Sequence, residues 1–220
     1  MKKKILILLL SLLFLVGGFF IVRSLTQTGV TALDDSFTRE FLDENVEVGK
    51  GFYFYEARNG NYTMWFPEDF YIEGDPAQFE SKDHFELIHS YYEEENPEGI
   101  SKSLQFNYDG DSNQTLQSMD RFLDRLLKEF SYEGQYEKKE LDNKVLYFGS
   151  SYVELEDKKL MHYEANGNAN NYFALIHNQD GTKAVSVRYS IFCSDEKKSC
   201  SLEQENEDNF FRRLIESISF

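Results

Sequence analysis

The sequence predicts an α+β fold, an antiparallel β-sheet covered by two main helices and preceded by one N-terminal transmembrane helix. Three observations predict it. A long apolar run follows three lysines at the start of the chain, many short aromatic and β-branched runs are divided by turn residues, and two segments repeat apolar residues at the helical period.

Lys2, Lys3 and Lys4 stand before residues 5–22, of which only Ser11, Gly17 and Gly18 are not strongly apolar. At a helical rise of about 1.5 Å per residue this run reaches roughly 27 Å, close to the ~30 Å hydrocarbon core. Only Arg23 follows closely, so the positive-inside rule keeps the N-terminus in the cytoplasm and sends the rest across. A cleaved signal peptide shares the basic start, but it has a shorter apolar core with a small-residue site directly after it. Here the acceptable small residues Val30, Thr31 and Ala32 lie well beyond the run, which favours an uncleaved anchor. No cysteine follows the run to carry a lipid. The chain thus divides into an anchor at 1–24, a stalk or packing arm at 25–48, and an extracytoplasmic α+β domain at 49–220.

All 39 acidic residues lie after Ser24 and four of the 23 basic residues lie before it, so the exported part carries a net charge of −20. Nucleic acid is excluded as a natural partner, because phosphate binding needs clustered Lys and Arg. No Pro/Gly/Ser-rich linker interrupts the exported part, which argues for one domain.

Phe37, Phe41 and Leu42 have helical spacing and predict a short helix over 36–44. The aromatic runs 52–56 and 61–66, with Asn59-Gly60 between them, predict a β-hairpin that Pro67 closes. Runs 84–93 and 102–108 predict a second hairpin across the turn residues Asn96, Pro97 and Gly99. The clearest helix covers 114–130, with Leu116, Met119, Phe122, Leu123, Leu126, Leu127 and Phe130 on one face and Ser112 or Asn113 as N-cap. Runs 136–141, 144–155, 160–164, 172–177 and 184–192 then read as antiparallel strands, and a second helix over 203–217 carries Phe210, Phe211, Leu214, Ile215 and Ile218. The early aromatics Phe52, Tyr53, Phe54, Tyr55, Tyr62, Trp65, Phe66, Phe70 and Tyr71 read as filling of a β core, with sugar or protein contact as the competing use.

The early run Tyr62-Thr63-Met64-Trp65-Phe66-Pro67, the long middle helix, the strand meander and the closing Phe211-Arg212-Arg213-Leu214-Ile215-Glu216-Ser217-Ile218 together resemble the PsbP/Mog1-like α/β sandwich group. The resemblance spans roughly residues 50–220 and brings no catalytic signature with it. It implies a small extracytoplasmic or adaptor domain, usually non-enzymatic, and transfers no functional residue.

Two constellations are candidates for chemistry. Cys193 and Cys200, in an exported domain, are read as a local disulfide between the last strand and the last helix, with free thiols or a metal pair as alternatives. Asp109, Asp111, Asn113 and Asp120 nearly scan as a twelve-residue calcium loop, with the Thr115 carbonyl as a further ligand. Gln114, however, occupies the sixth position where that loop needs glycine, which favours a turn followed by a capped helix. No other metal or cofactor is indicated. The four histidines form no known motif, and no G-x-S-x-G, P-loop or dinucleotide fingerprint is present. The leading functional expectation is a membrane-anchored, non-enzymatic recognition module that contacts another extracytoplasmic or membrane protein, one whose basic surface suits the acidic domain. The alternative is a domain that binds a glycan, a small molecule or calcium. An enzyme with dispersed residues is a third class, for which the sequence offers no positive sign.

Overall fold

The computed structural model describes residues 27–92, 99–129, 132, 135–156, 159–165, 169–193 and 203–220. Residues 5–22, assigned above to the membrane, and Cys200 lie outside them. Among the described residues no helix is long and apolar enough to cross a membrane.

Two short helices, α1 (Thr31–Asp34) and α2 (Ser36–Arg39), lead into β1 (Leu42–Asp43), β2 (Phe52–Glu56) and β3 (Thr63–Pro67). These three strands form a small antiparallel sheet in the order β1-β2-β3. The helix expected over 36–44 stops at Arg39, because Leu42 and Asp43 pair instead with Tyr55 and Phe54. The β2–β3 turn places Gly60 at φ 68°, the left-handed conformation an Asn-Gly turn requires.

The large sheet contains β4 (Phe70–Ile72), β5 (Phe79–Lys82), β6 (Phe85–Tyr92), β7 (Ile100–Gly110), β8 (Glu137–Leu141), β9 (Lys144–Glu156), β10 (Lys159–Glu164), β11 (Asn171–Asn178) and β12 (Lys183–Cys193). Its order is β10-β9-β11-β12-β7-β6-β4, antiparallel throughout, with β8 on β9 and β5 on β6. Each outer long strand therefore shares its free edge between two short ones. Residues 144–148 of β9 take β8 and residues 151–156 take β10, while residues 85–88 of β6 take β5 and residues 90–92 take β4. Short edge strands limit pairing with other chains. At the centre, β11 is buried from Asn171 to His177, which is why it reads as a continuous apolar run rather than an alternating one.

Helix α3 (Leu116–Glu129) and helix α4 (Gln204–Ser217) cover opposite faces. On the inner face, Leu104, Phe106, Tyr108, Val185, Val187, Tyr189, Ile191, Tyr172, Ala174 and Ile176 meet the small sheet and Phe211, Leu214 and Ile215 of α4. On the outer face, Met119, Leu123 and Leu126 of α3 meet Phe173, Leu175 and Ala184. The expectation of one sheet is corrected: the described residues form two, and the aromatic hairpin of β2 and β3 builds the second. Val30, Ala32, Phe37 and Phe41 pack against the body, with Ala32 and Thr38 fully buried and Thr38 Oγ1 accepting the Ile72 amide hydrogen at 2.7 Å.

Helix α3 begins two residues later than the sequence suggests. The Thr115 carbonyl accepts from the Ser118 and Met119 amides, so Thr115 and not Ser112 or Asn113 is the N-cap. Leu116, expected on the apolar stripe, is exposed because it precedes the first turn that reaches the sheet.

Candidate functional site

The outer face of the large sheet changes chemistry halfway across. Reading across the register, one row runs Leu175, Ser186, Asn107, Leu87, and the next runs Phe173, Arg188, Gln105, His89. The apolar members on β11 receive α3, whereas the polar members on β12 and β7 offer it nothing to bury. Helix α3 therefore covers one half of the face and leaves a cleft over the other.

The cleft has a volume of about 220 Å³. Gln105, Asn107, Ser186 and Arg188 form its floor, Phe85 and Asp109 one end, and Phe122 and Arg125 of α3 its wall. A second hollow of about 250 Å³ adjoins it, sharing Asp109, Phe122 and Arg125 and adding Gln114 and Arg121. Among the described residues, the side chains of Gln105, Asn107 and Ser186 have no hydrogen-bond partner, so their donors and acceptors face the cleft. The Arg125 guanidinium lies over the Phe122 ring, 4.8 Å from its centroid.

The distribution of arginine singles this place out. Of the seven arginines after Ser24, Arg39, Arg58 and Arg212 are ion-paired with Glu44, Glu40 and Glu137, and Arg213 donates to the Lys50 carbonyl. The other three, Arg121, Arg125 and Arg188, line the two hollows. Among the described residues neither Arg121 nor Arg125 has an ion-pair partner; Arg121 donates only to Ser118 Oγ, at 3.3 Å. Burial, and secondarily the Arg188 charge, hold the His89 imidazole below its ordinary value of 6.5. The cleft thus offers fixed positive charge and neutral hydrogen-bonding groups around an aromatic wall, an arrangement suited to an anionic, hydrogen-bonding group.

Of the residues singled out as calcium ligands, Asp109 lies at the cleft and accepts from Gln114 Nε2 at 3.0 Å. Asp111 Oδ1 accepts from the Asn113 amide at 2.8 Å and from its side chain at 2.9 Å, closing a turn. Asp120 is exposed on α3. Among the described residues no three His, Cys, Asp or Glu side chains gather as a metal group. Cys193 ends β12 opposite Ile100, and its proposed partner Cys200 is outside the described residues. The cleft residues were not legible as a set, since Gln105 and Arg188 lie far apart in sequence and each reads as ordinary strand alternation.

A family model described as "Putative lipoprotein YvcA" and labelled YvcA_Mog1p matches residues 28–219. The protein of that description from Bacillus subtilis (strain 168) is 22% identical over 196 residues, covering 87% of this chain and 77% of its own length. Among solved structures, the chain is similar to the Saccharomyces cerevisiae Ran-binding protein Mog1p at 14% identity and a TM-score of 0.43, over 76% of this chain and 94% of that one. It is also similar to a mutant of protein Mog1 at 12% identity and a TM-score of 0.41, over 76% of this chain and 95% of that one.

Proposed function

The chain belongs to the YvcA_Mog1p family, and from that premise we propose that it is a membrane-attached extracytoplasmic module that works by binding another protein rather than by catalysis. Membership agrees with the Mog1-like resemblance read from the residues, since the family label joins the two names. The lipoprotein description of the relative supports attachment at the outer face of a membrane. In this sequence the first cysteine is Cys193, so the apolar run 5–22, and not a lipidated cysteine, carries the attachment in this reading.

The observation that carries the recognition role is the cleft itself. Gln105, Asn107 and Ser186 present hydrogen-bonding groups with no protein partner among the described residues, and two guanidinium groups flank them. These groups bind and orient. A tether confines the domain and its partner near one plane, so that weak intrinsic affinity is sufficient for occupancy. The test uses intact cells. External protease digests the domain while the chain sediments with membranes, and crosslinking through the exported part captures one specific extracytoplasmic protein. A soluble mature form beginning near Leu33, or turnover of a substrate with no protein captured, contradicts the reading.

A further inference from the structure

We propose that the cleft binds an extended acidic peptide segment of the partner protein, with carboxylates at alternate residues meeting Arg121 and Arg125. The assignment rests on the contact role proposed above and names the chemistry of its occupant.

Charge is the first argument. The chain as a whole carries −16, yet three of its arginines line these adjoining hollows, and Asp109, the only carboxylate lining them among the described residues, accepts from Gln114. Net charge therefore misleads about this site. A basic partner suits the domain at large, whereas the cleft suits an acidic one. Guanidinium groups also match carboxylates in geometry, offering paired donors to paired oxygens.

Spacing is the second argument. Arg121 and Arg125 are one helical turn apart, about 6 Å along α3. Alternate residues of an extended strand are separated by about 6.6 Å, so two carboxylates on one side of such a segment meet both arginines. The segment's backbone then lies over Asn107 and Gln105, whose free amides hydrogen-bond peptide groups, while Phe85 and Phe122 bound it with apolar surface. A smooth arginine patch would lack the amides. A neutral glycan would leave the guanidinium charges unmatched.

The test uses the full chain in detergent micelles at physiological salt, where a Debye length of about 8 Å screens the domain's long-range repulsion. The probe is a fluorescent ten-residue peptide alternating glutamate and threonine, compared with its glutamine twin. Anisotropy is expected to show the acidic peptide binding at least about tenfold more tightly than the twin, as charge-assisted hydrogen bonds require. R121Q and R125Q each weaken the acidic peptide by a similar factor, whereas R212Q, at the distant Glu137 pair, leaves it unchanged. Circular dichroism checks that the variants fold, and both Arg121 and Arg125 are exposed, so neither change disturbs the core. Equal affinity for both peptides, or indifference to Arg125, overturns the assignment. Self-association of the chain that R125Q abolishes also overturns it, by giving the cleft to a second copy. Loss of peptide binding alongside a protein still captured on cells removes the cleft assignment alone and leaves the contact role standing.

Discussion

Glu86 has no exposed surface, and its carboxyl group accepts from three hydroxyls, Tyr55 at 3.0 Å, Tyr62 at 3.1 Å and Ser81 at 2.6 Å. The first two donors belong to the small-sheet hairpin and the acceptor to β6, so one side chain fastens the two sheets together. Burial, with Glu86 contributing, pushes both phenols well above their ordinary value and keeps them as donors. Removing the acceptor leaves buried hydroxyls unsatisfied, and E86A is expected to cost about 3 kcal/mol in urea unfolding, with E86Q costing less. His89 supplies a second prediction. Its folded value lies below 6.5, so folding favours the neutral imidazole. That contribution is complete above pH 6.5 and is lost as pH falls through the folded value. NMR titration should find the depressed value, and R188Q should raise it. A value unmoved by R188Q contradicts the placement of that charge. Calcium gives a third, because Asp111 is occupied in its own turn and Asp109 by Gln114. Millimolar calcium is expected to leave thermal unfolding unchanged, and a shift abolished by D111A would restore the calcium-loop reading.

Helix α4 shows how an element is held at both ends. Near its start, Glu207 is buried and accepts from Lys102 at 2.6 Å and from Tyr189, while Asp208 accepts from Tyr172 at 3.0 Å. At its end the buried Lys144 donates to the carbonyls of Glu216 and Ile218, placing a cation where the helix dipole favours one. Burial holds this ammonium below its ordinary value despite the attraction of Glu216. K144M is expected to destabilise the domain by about 1–3 kcal/mol by leaving those carbonyls unmet, measured by chemical unfolding. Helix α3 depends on packing instead, and L123A should cost about 2–5 kcal/mol while leaving α4 intact. Both helices were legible in the sequence because fourteen residues carry enough turns for a period to show. Strands β1, β4 and β5 were not, since two to four residues hold no period, and they form only because longer strands offer an edge. The lysine cap was equally hidden, because Lys144 meets α4 only after some seventy residues of intervening chain have folded.

At the scale of the whole molecule, the sequence led to an acidic domain beyond an apolar run, and net charge then pointed to a basic partner. The fold separates these properties. Acidic residues spread over turns and helix faces, while α3 and the polar half of one sheet face gather arginines that are dispersed along the chain. The alternation of Gln105 and Asn107 with inward Leu104, Phe106 and Tyr108 was visible as strand pattern, but only the register with Ser186 and Arg188 turns it into a site. The central claim is that this face is where the exported domain meets its partner. It is tested most directly by placing a photo-crosslinking amino acid in turn at Asn107, in the cleft, and at the exposed Tyr136, which does not line it, in living cells. The account predicts one discrete adduct from position 107, absent from position 136 and lost when R125Q is added. Equal adducts from both positions, or an adduct from position 107 indifferent to R125Q, would contradict it.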